Sequence, residues 1–241
     1  MKKSKIFISI LLIVFIVFSF CFYFTAKNEI HDIPLSFEIT SGGFTEKVSC
    51  WNNGEDYYVF LPSYAEISKT KICLSTQTQV KINGVNIVDE MFCDDFELDE
   101  KYEMEYQDFL SEKSCNIIFL KSENVATAYL TTESGNMDYI HSKKGNSEAG
   151  NIKFFSVDGK LDSSEIVESI KGRGNYTWEY YDKKPYSLDL RQETDILGLG
   201  KASRWILLAN AFDESHLKNK LVFEFSKNVG LEYSPDSQWV N

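Results

Sequence analysis

The 241-residue chain is predicted to have an α+β fold, with an N-terminal transmembrane anchor, a β-sandwich-like module and a second β-rich part with one clear helix. Three observations predict it: an apolar run over Ile6–Phe24, short alternating segments up to Thr132, and a helical pattern near the C-terminus. The hydrophobic content of 43% is typical of a globular protein rather than a disordered one.

Residues 1–27 are predicted to be a signal anchor. The apolar run 6–24 is nineteen residues long, and a helix of that length reaches roughly the thickness of a hydrocarbon core. Three lysines precede it, which predicts a single-pass membrane protein with a cytoplasmic N-terminus and an extracellular bulk. The alternative is a cleaved signal peptide, although aromatic residues stand at 22–24 where small ones are expected.

Charge and cysteine content restrict the classes of partner. The formal net charge of −11 and the lack of a basic stripe argue against a nucleic-acid partner. The four cysteines beyond the anchor allow either two disulfides, in three connectivities, or free thiols. These residues are Cys50, Cys73, Cys93 and Cys115. Without a C-x-x-C pair, a zinc site is not expected, and no metal-ligating residue is assigned.

Residues 33–132 are predicted to form a β-rich, Ig-like module. Short segments rich in β-formers, several of them alternating, recur without a helical pattern between them, as in a small sandwich. The predicted strands are Leu35–Thr40, Asp56–Leu61, Lys71–Leu74, Ile117–Leu120 and Val125–Thr131. Between them, Asn83-Gly84 joins two alternating runs and predicts a tight hairpin.

The residues after Thr132 have a different sequence pattern. The polar, glycine-bearing stretch 133–151 is predicted to be a linker or a loop, and Ile152–Val157 leads into a second hairpin signal at Asp158-Gly159. The apolar run Trp205–Ala209 predicts a buried strand or turn.

A helix is predicted from Asp213, as N-cap, to about Asn228, and Gly230 is expected to close it. Its apolar face comprises Leu217, Leu221, Val222 and Phe225.

Six motifs between residues 171 and 235 resemble those of a known protein family. They are Lys171–Trp178, Lys183–Leu188, Leu197–Lys201, Trp205–Asn210, Asp213–Asn219 and Gly230–Pro235. In this order and spacing they resemble the first half of the CotH domain, a family of atypical protein kinases named for a spore-coat protein. The resemblance implies that residues 152–241 form the β-rich N-terminal part of such a domain. It also implies ATP and magnesium as cofactors, and Ser or Thr of a surface or coat protein as substrate.

Two residues of this region are predicted to bind the phosphates of ATP. The turn Gly172–Asn175 lets backbone N–H groups approach an anion, with Arg173 as a fork-shaped donor. Lys184 has the parity of Leu188 and Leu190, so it is predicted to point inward beside that turn, whereas Lys183 would point away.

No catalytic residue is assigned. In the CotH family the metal-binding and proton-accepting aspartates lie in the half that would follow Asn241, so the chain as given is expected to be inactive. None of Asp189, Asp195, Asp213 and Asp236 matches such a position. The alternative function is a non-catalytic surface module that binds cell-wall polysaccharide or protein, with Trp51, Tyr57 and Tyr58 as the first candidates.

Overall fold

The computed structural model describes residues 33–241, apart from 42, 53–55, 76–78, 108–110, 233–234, 239 and 241. This part is rich in β-structure, as predicted, with fifteen strands in three sheets and three α-helices. Residues 35–241 form one compact unit. None of the helices in the described part is long and apolar enough to cross a membrane. The predicted anchor lies outside the described residues.

The first ten strands belong to two sheets. A four-stranded sheet has the order β2-β1-β5-β8, and a six-stranded sheet has the order β3-β4-β10-β9-β6-β7. The strands are β1 (Leu35–Ser41), β2 (Phe44–Ser49), β3 (Trp51–Asn52), β4 (Asp56–Leu61), β5 (Lys71–Leu74), β6 (Val80–Ile82), β7 (Val85–Asn86), β8 (Met91–Phe92), β9 (Lys101–Gln107) and β10 (Glu112–Lys121). A short 3₁₀ helix, Ile67–Lys69, precedes β5.

The buried faces of these two sheets meet through aromatic side chains. Phe37 of β1 and Phe119 of β10 are fully buried, with ring centroids 5.2 Å apart in an edge-to-face arrangement. Along β1 the side chains alternate between buried and more exposed, as the sequence pattern predicts for a strand with one covered face. The strands predicted at residues 35–40, 56–61 and 71–74 are confirmed.

The hairpin predicted at Asn83-Gly84 is also confirmed. β6 and β7 pair antiparallel with Ile82 opposite Val85, so the loop contains only these two residues. Asn83 has φ of 47° and Gly84 has φ of 77°. Positive φ at both positions is what a type I′ turn requires, and Asn-Gly meets that requirement at little steric cost.

The third sheet is an antiparallel meander that holds the second hydrophobic core. Its strands follow the chain order β11 (Thr127–Thr132), β12 (Ser147–Phe155), β13 (Leu161–Gly172), β14 (Tyr186–Asp195) and β15 (Lys201–Leu207). Helix α1 (Asp138–Ser142) and helix α2 (Tyr176–Tyr180) place Ile140 and Trp178 against this core. The stretch 133–151, expected to be a linker or loop, therefore contains α1 and the start of β12.

The third sheet contacts the N-terminal sheets through polar and aromatic groups. Phe155 lies against Phe44, Tyr64 and Tyr129, and the Tyr64 and Tyr129 hydroxyls are 3.0 Å apart. Lys153 and Glu46 form an ion pair nearby. The predicted domain boundaries remain a prediction.

The C-terminal helix, α3 (Lys218–Asn228), starts later than predicted. The Asp213 carboxylate does accept the Lys218 N–H, at 2.7 Å, but it does so across a turn in which it also binds the Ser215 hydroxyl. The N-cap position is Leu217, so the assignment of Asp213 as N-cap is wrong. Gly230 closes the helix with φ of 74°, as predicted.

The prediction that the run Trp205–Ala209 is buried is wrong for four of its five residues, because only Ala209 is buried. β15 is the last strand of the third sheet, and Ile206 and Leu208 remain about two-fifths exposed. A wholly apolar run does not show whether a strand lies inside a sheet or at its edge.

All four cysteines that the structure describes are free thiols. Burial raises the pKa of Cys50 and of Cys93 to about 12, so both remain protonated at neutral pH.

Candidate functional site

The glycine-rich turn after β13 is held against the loop that precedes β14. The Arg173 N–H donates to the Pro185 carbonyl at 2.9 Å, which continues the pairing of Gly172 with Tyr186. Gly174 has φ of 78°, and a Cβ there would lie 2.7 Å from the Thr177 hydroxyl, so a side chain would be strained at this position. The backbone bond therefore fixes residue 173 beside the 181–185 loop.

A groove of about 690 Å³ opens along this turn and β15, and we call it the basic groove. Its described lining includes five cationic side chains, which are Arg173, Lys183, Lys201, Arg204 and Lys220. Asp236 is the only carboxylate among those described lining residues. The balance of charge is thus reversed locally in a chain whose net charge is −11.

Two of the five cations are already neutralised by neighbouring groups. Arg204 binds Asp189 at 2.6 Å, and Lys220 binds both Glu224, at 2.8 Å, and the Ser237 carbonyl. The groove's own carboxylate, Asp236, pairs with Lys227. These contacts leave the charge of the remaining cations uncompensated.

Arg173, Lys183 and Lys201 are exposed and have no side-chain partner among the residues that the structure describes. Lys201 is positioned by the β14–β15 turn, in which the Asp195 carboxylate accepts the Gly200 N–H at 2.8 Å. Three uncompensated cations around one depression create a positive potential that attracts an anion, and guanidinium and ammonium groups both suit phosphate oxygens.

The rest of the lining of the basic groove is largely apolar. The Trp205 indole N–H donates to the Ala202 carbonyl at 3.0 Å, which fixes the ring on the strand. Ile206, Leu207 and Phe223 extend this surface. A groove with cations and an apolar wall suits a ligand that has both an anionic group and a flat apolar group.

The structure places Arg173 in the basic groove but directs Lys184 elsewhere. The Lys184 ammonium donates to the Trp178 carbonyl at 2.7 Å and lies 5.7 Å from the centre of the Trp178 ring. Lys183, in contrast, lines the groove together with Arg173. Arg173 and Lys184 are therefore not brought together in the groove.

The surroundings of Lys184 form a compact polar and aromatic cluster. The His141 imidazole lies 2.7 Å from the Tyr186 hydroxyl and packs edge-on against Trp178. Burial, and then the charge of Lys184, lower the pKa of His141, which keeps the imidazole neutral at pH 7. This cluster fixes the loop that carries Lys183.

Sequence reasoning did not identify Lys183 or Lys201 as site residues. A usable signal was the concentration of basic residues between 171 and 204 in an otherwise acidic chain. Strand parity does not decide between Lys183 and Lys184, because neither residue lies within β14, which starts at Tyr186. The assignment of Lys184 to the phosphates remains a prediction.

The lining fits the two implied cofactors unequally. Phosphate oxygens fit the three uncompensated cations. Magnesium prefers carboxylate oxygens, and the described residues contain no cluster of three His, Cys, Asp or Glu side chains that could hold a metal. The described lining of the basic groove therefore does not fit magnesium.

Comparison with known proteins supports the family resemblance of the C-terminal segment. Searches of curated proteins and of solved structures found no significant similarity to the chain. A family model described as CotH kinase protein matches residues 170–241, the segment that holds the glycine-rich turn and the five cations of the basic groove. That match confirms the resemblance of this segment to the CotH family.

Proposed function

We propose that the basic groove binds the phosphates of ATP, as part of a membrane-tethered, extracytoplasmic CotH-like protein. In this proposal the full-length form transfers the γ-phosphoryl group to Ser or Thr of a surface or coat protein. Residues 33–132 would be the β-sandwich-like module and residues 152–241 the N-terminal part of the kinase-like domain. The observation that carries the proposal is the set of three uncompensated cations within the family match.

Each cation has a distinct role in this proposal. Arg173 would offer its guanidinium fork to two phosphate oxygens, while Lys183 and Lys201 would act as point charges. The apolar wall formed with Trp205 would face the base. The backbone bond from Arg173 to Pro185 sets the spacing between the first two cations before any ligand arrives.

Single substitutions test this assignment through the affinity for ATP, measured with a fluorescent ATP analogue on the full chain in detergent. We expect Arg173→Ala and Lys183→Ala each to weaken binding about tenfold, because a hydrogen bond to a charged group contributes about 1.5 kcal/mol or more. Lys184→Ala should change the affinity less than about twofold, because its ammonium binds the Trp178 carbonyl.

The reverse order of affinity losses in the lysine variants would contradict the proposal. A larger loss for Lys184→Ala than for Lys183→Ala would support Lys184, the residue predicted from the sequence, and contradict the basic groove. An ATP affinity equal to that of the wild type in all three variants would contradict a phosphate site at any of these residues.

A further inference from the structure

A strip of aromatic side chains crosses one edge of the six-stranded sheet, far along the chain from the basic groove. Trp51 of β3 lies opposite Tyr58 of β4, with ring centroids 5.8 Å apart, and Phe60 stacks on Tyr58 at 6.2 Å. Trp51 is 49% exposed and Phe60 is 41% exposed. Tyr57 and Val59, the residues on either side of Tyr58, are buried in the core instead. We call the three outward rings the aromatic strip.

Hydrogen-bonding side chains border the aromatic strip on the same face. Asp56 precedes Tyr58 by two residues and binds Asn116 of β10 at 2.7 Å and Lys101 of β9 at 2.8 Å. The parallel register, with Asn116 opposite Asp56 and Ile118 opposite Tyr58, puts these groups on one face.

The adjoining rows continue this polar border. The Ser114 hydroxyl binds Glu103 at 3.1 Å on the neighbouring strands. Hydrogen bonds from Lys101 and Asn116 hold the pKa of Asp56 below its usual range, so the carboxylate is an acceptor at neutral pH. The face therefore offers donors and acceptors beside the rings.

We propose that the aromatic strip and this polar border bind an extended, neutral polysaccharide. A pyranose ring has an apolar C–H face, which stacks on an aromatic ring, and a rim of hydroxyl groups, which bond to carboxylate, amide and ammonium groups. The strip pairs these two surfaces side by side, in the arrangement that a sugar chain presents.

The dimensions of the strip favour a polymer chain over a folded protein. The strip is a compact group of three partly exposed rings, with the Trp51 and Phe60 centroids 6.4 Å apart, whereas a stable protein interface covers about 800 Å² on each partner. The ring planes differ by 22° to 54°, so the rings do not form a flat platform and suit a single soluble chain rather than a flat crystalline surface. With a net charge of −11, the protein would repel an anionic polymer.

Affinity electrophoresis of the full chain tests the proposal. Native gels would contain hydroxyethylcellulose, arabinoxylan or glucomannan, with a polyoxyethylene detergent because it has no sugar headgroup. We expect at least one polymer to retard the wild-type chain, and Trp51→Ala/Phe60→Ala to weaken that retardation at least about tenfold. Trp51→Phe, which keeps a ring, should retain part of it.

A matched control uses another exposed aromatic pair among the described residues. Tyr176 and Phe212 are 57% and 61% exposed and stack at 5.7 Å. Tyr176→Ala/Phe212→Ala should keep the wild-type retardation. Equal losses in both double variants, or no retardation by any of the three polymers, would overturn the proposal.

ATP binding should be unchanged in the aromatic-strip variant, because the two sites share no residue. An unchanged ATP affinity also shows that this variant is folded. Failure of the polysaccharide site would therefore leave the proposed nucleotide site untouched, and the reverse also holds.

Discussion

Replacing Trp178 by alanine is expected to lower the free energy of unfolding by about 3–5 kcal/mol, the range found when a buried aromatic side chain is truncated. Trp178 is only 8% exposed and belongs to the core of the third sheet. Its ring is enclosed by Gly172, His141 and Tyr186, so the cavity left behind has little freedom to collapse. Such a loss is a large part of the roughly 5–15 kcal/mol that stabilises a typical domain.

Denaturant unfolding followed by far-UV circular dichroism measures this effect, with Trp51→Ala as the matched control. Trp51 is 49% exposed, so its truncation should cost about 1 kcal/mol or less. Equal losses for the two variants would show that Trp178 does not organise this core.

The contact between Trp178 and Gly172 allows a stricter test. A Cβ at position 172 would lie 2.3 Å from two ring carbons of Trp178, so Gly172→Ala must displace the ring and should cost about 1–3 kcal/mol. Phenylalanine at 178 lacks those atoms. In a double-mutant cycle, Gly172→Ala should therefore cost less in a Trp178→Phe background, whereas additive costs would contradict the packing.

Removing all three uncompensated cations of the basic groove is expected to weaken ATP binding by more than about 100-fold. The variant is Arg173→Gln/Lys183→Gln/Lys201→Gln, which keeps a polar side chain at each position but removes the charge. Hydrogen bonds to charged groups contribute about 1.5–3 kcal/mol each, and the combined loss should exceed any single one even without full additivity. The measurement is the dissociation constant of the fluorescent ATP analogue.

The control must distinguish the loss of cations in the basic groove from a change in the net charge of the protein. Lys69→Gln/Lys143→Gln/Lys160→Gln removes the same number of positive charges from exposed lysines outside the basic groove. This control should weaken ATP binding less than about threefold at 0.15 M salt, where distant charges are screened. Similar losses in both triple variants would mean that only the overall field of the protein attracts ATP.

Strands and turns with local signals were predictable from the sequence. Asn83-Gly84 specifies its hairpin because both residues tolerate positive φ, and Leu35–Ser41 alternates as a half-covered strand must. The position of β15 at the edge of its sheet was not predictable, because a continuous apolar run such as 205–209 does not show whether a strand has neighbouring strands on both sides. The start of α3 was misjudged because the Asp213 carboxylate accepts an N–H group in the turn before the helix as well as the Lys218 N–H, so its residue type does not show where the helix begins.

The candidate site could be predicted only in part. The glycine-rich turn and Arg173 follow from residue type, since close approach of the backbone and a guanidinium group are local properties. The choice between Lys183 and Lys184 depends on a loop whose direction is set by the Arg173–Pro185 backbone bond and by the Trp178 carbonyl. Lys201 comes from another hairpin, so its presence in the basic groove depends on tertiary packing.

The most direct test of the central claim is to locate bound ATP by photocrosslinking. The full chain in detergent is irradiated with labelled azido-ATP, digested and mapped by mass spectrometry. We predict label on peptides that line the basic groove between residues 173 and 223, suppressed by excess ATP and absent from the triple glutamine variant. Label confined to residues before 133, or label that excess ATP does not suppress, would contradict a nucleotide site in the basic groove.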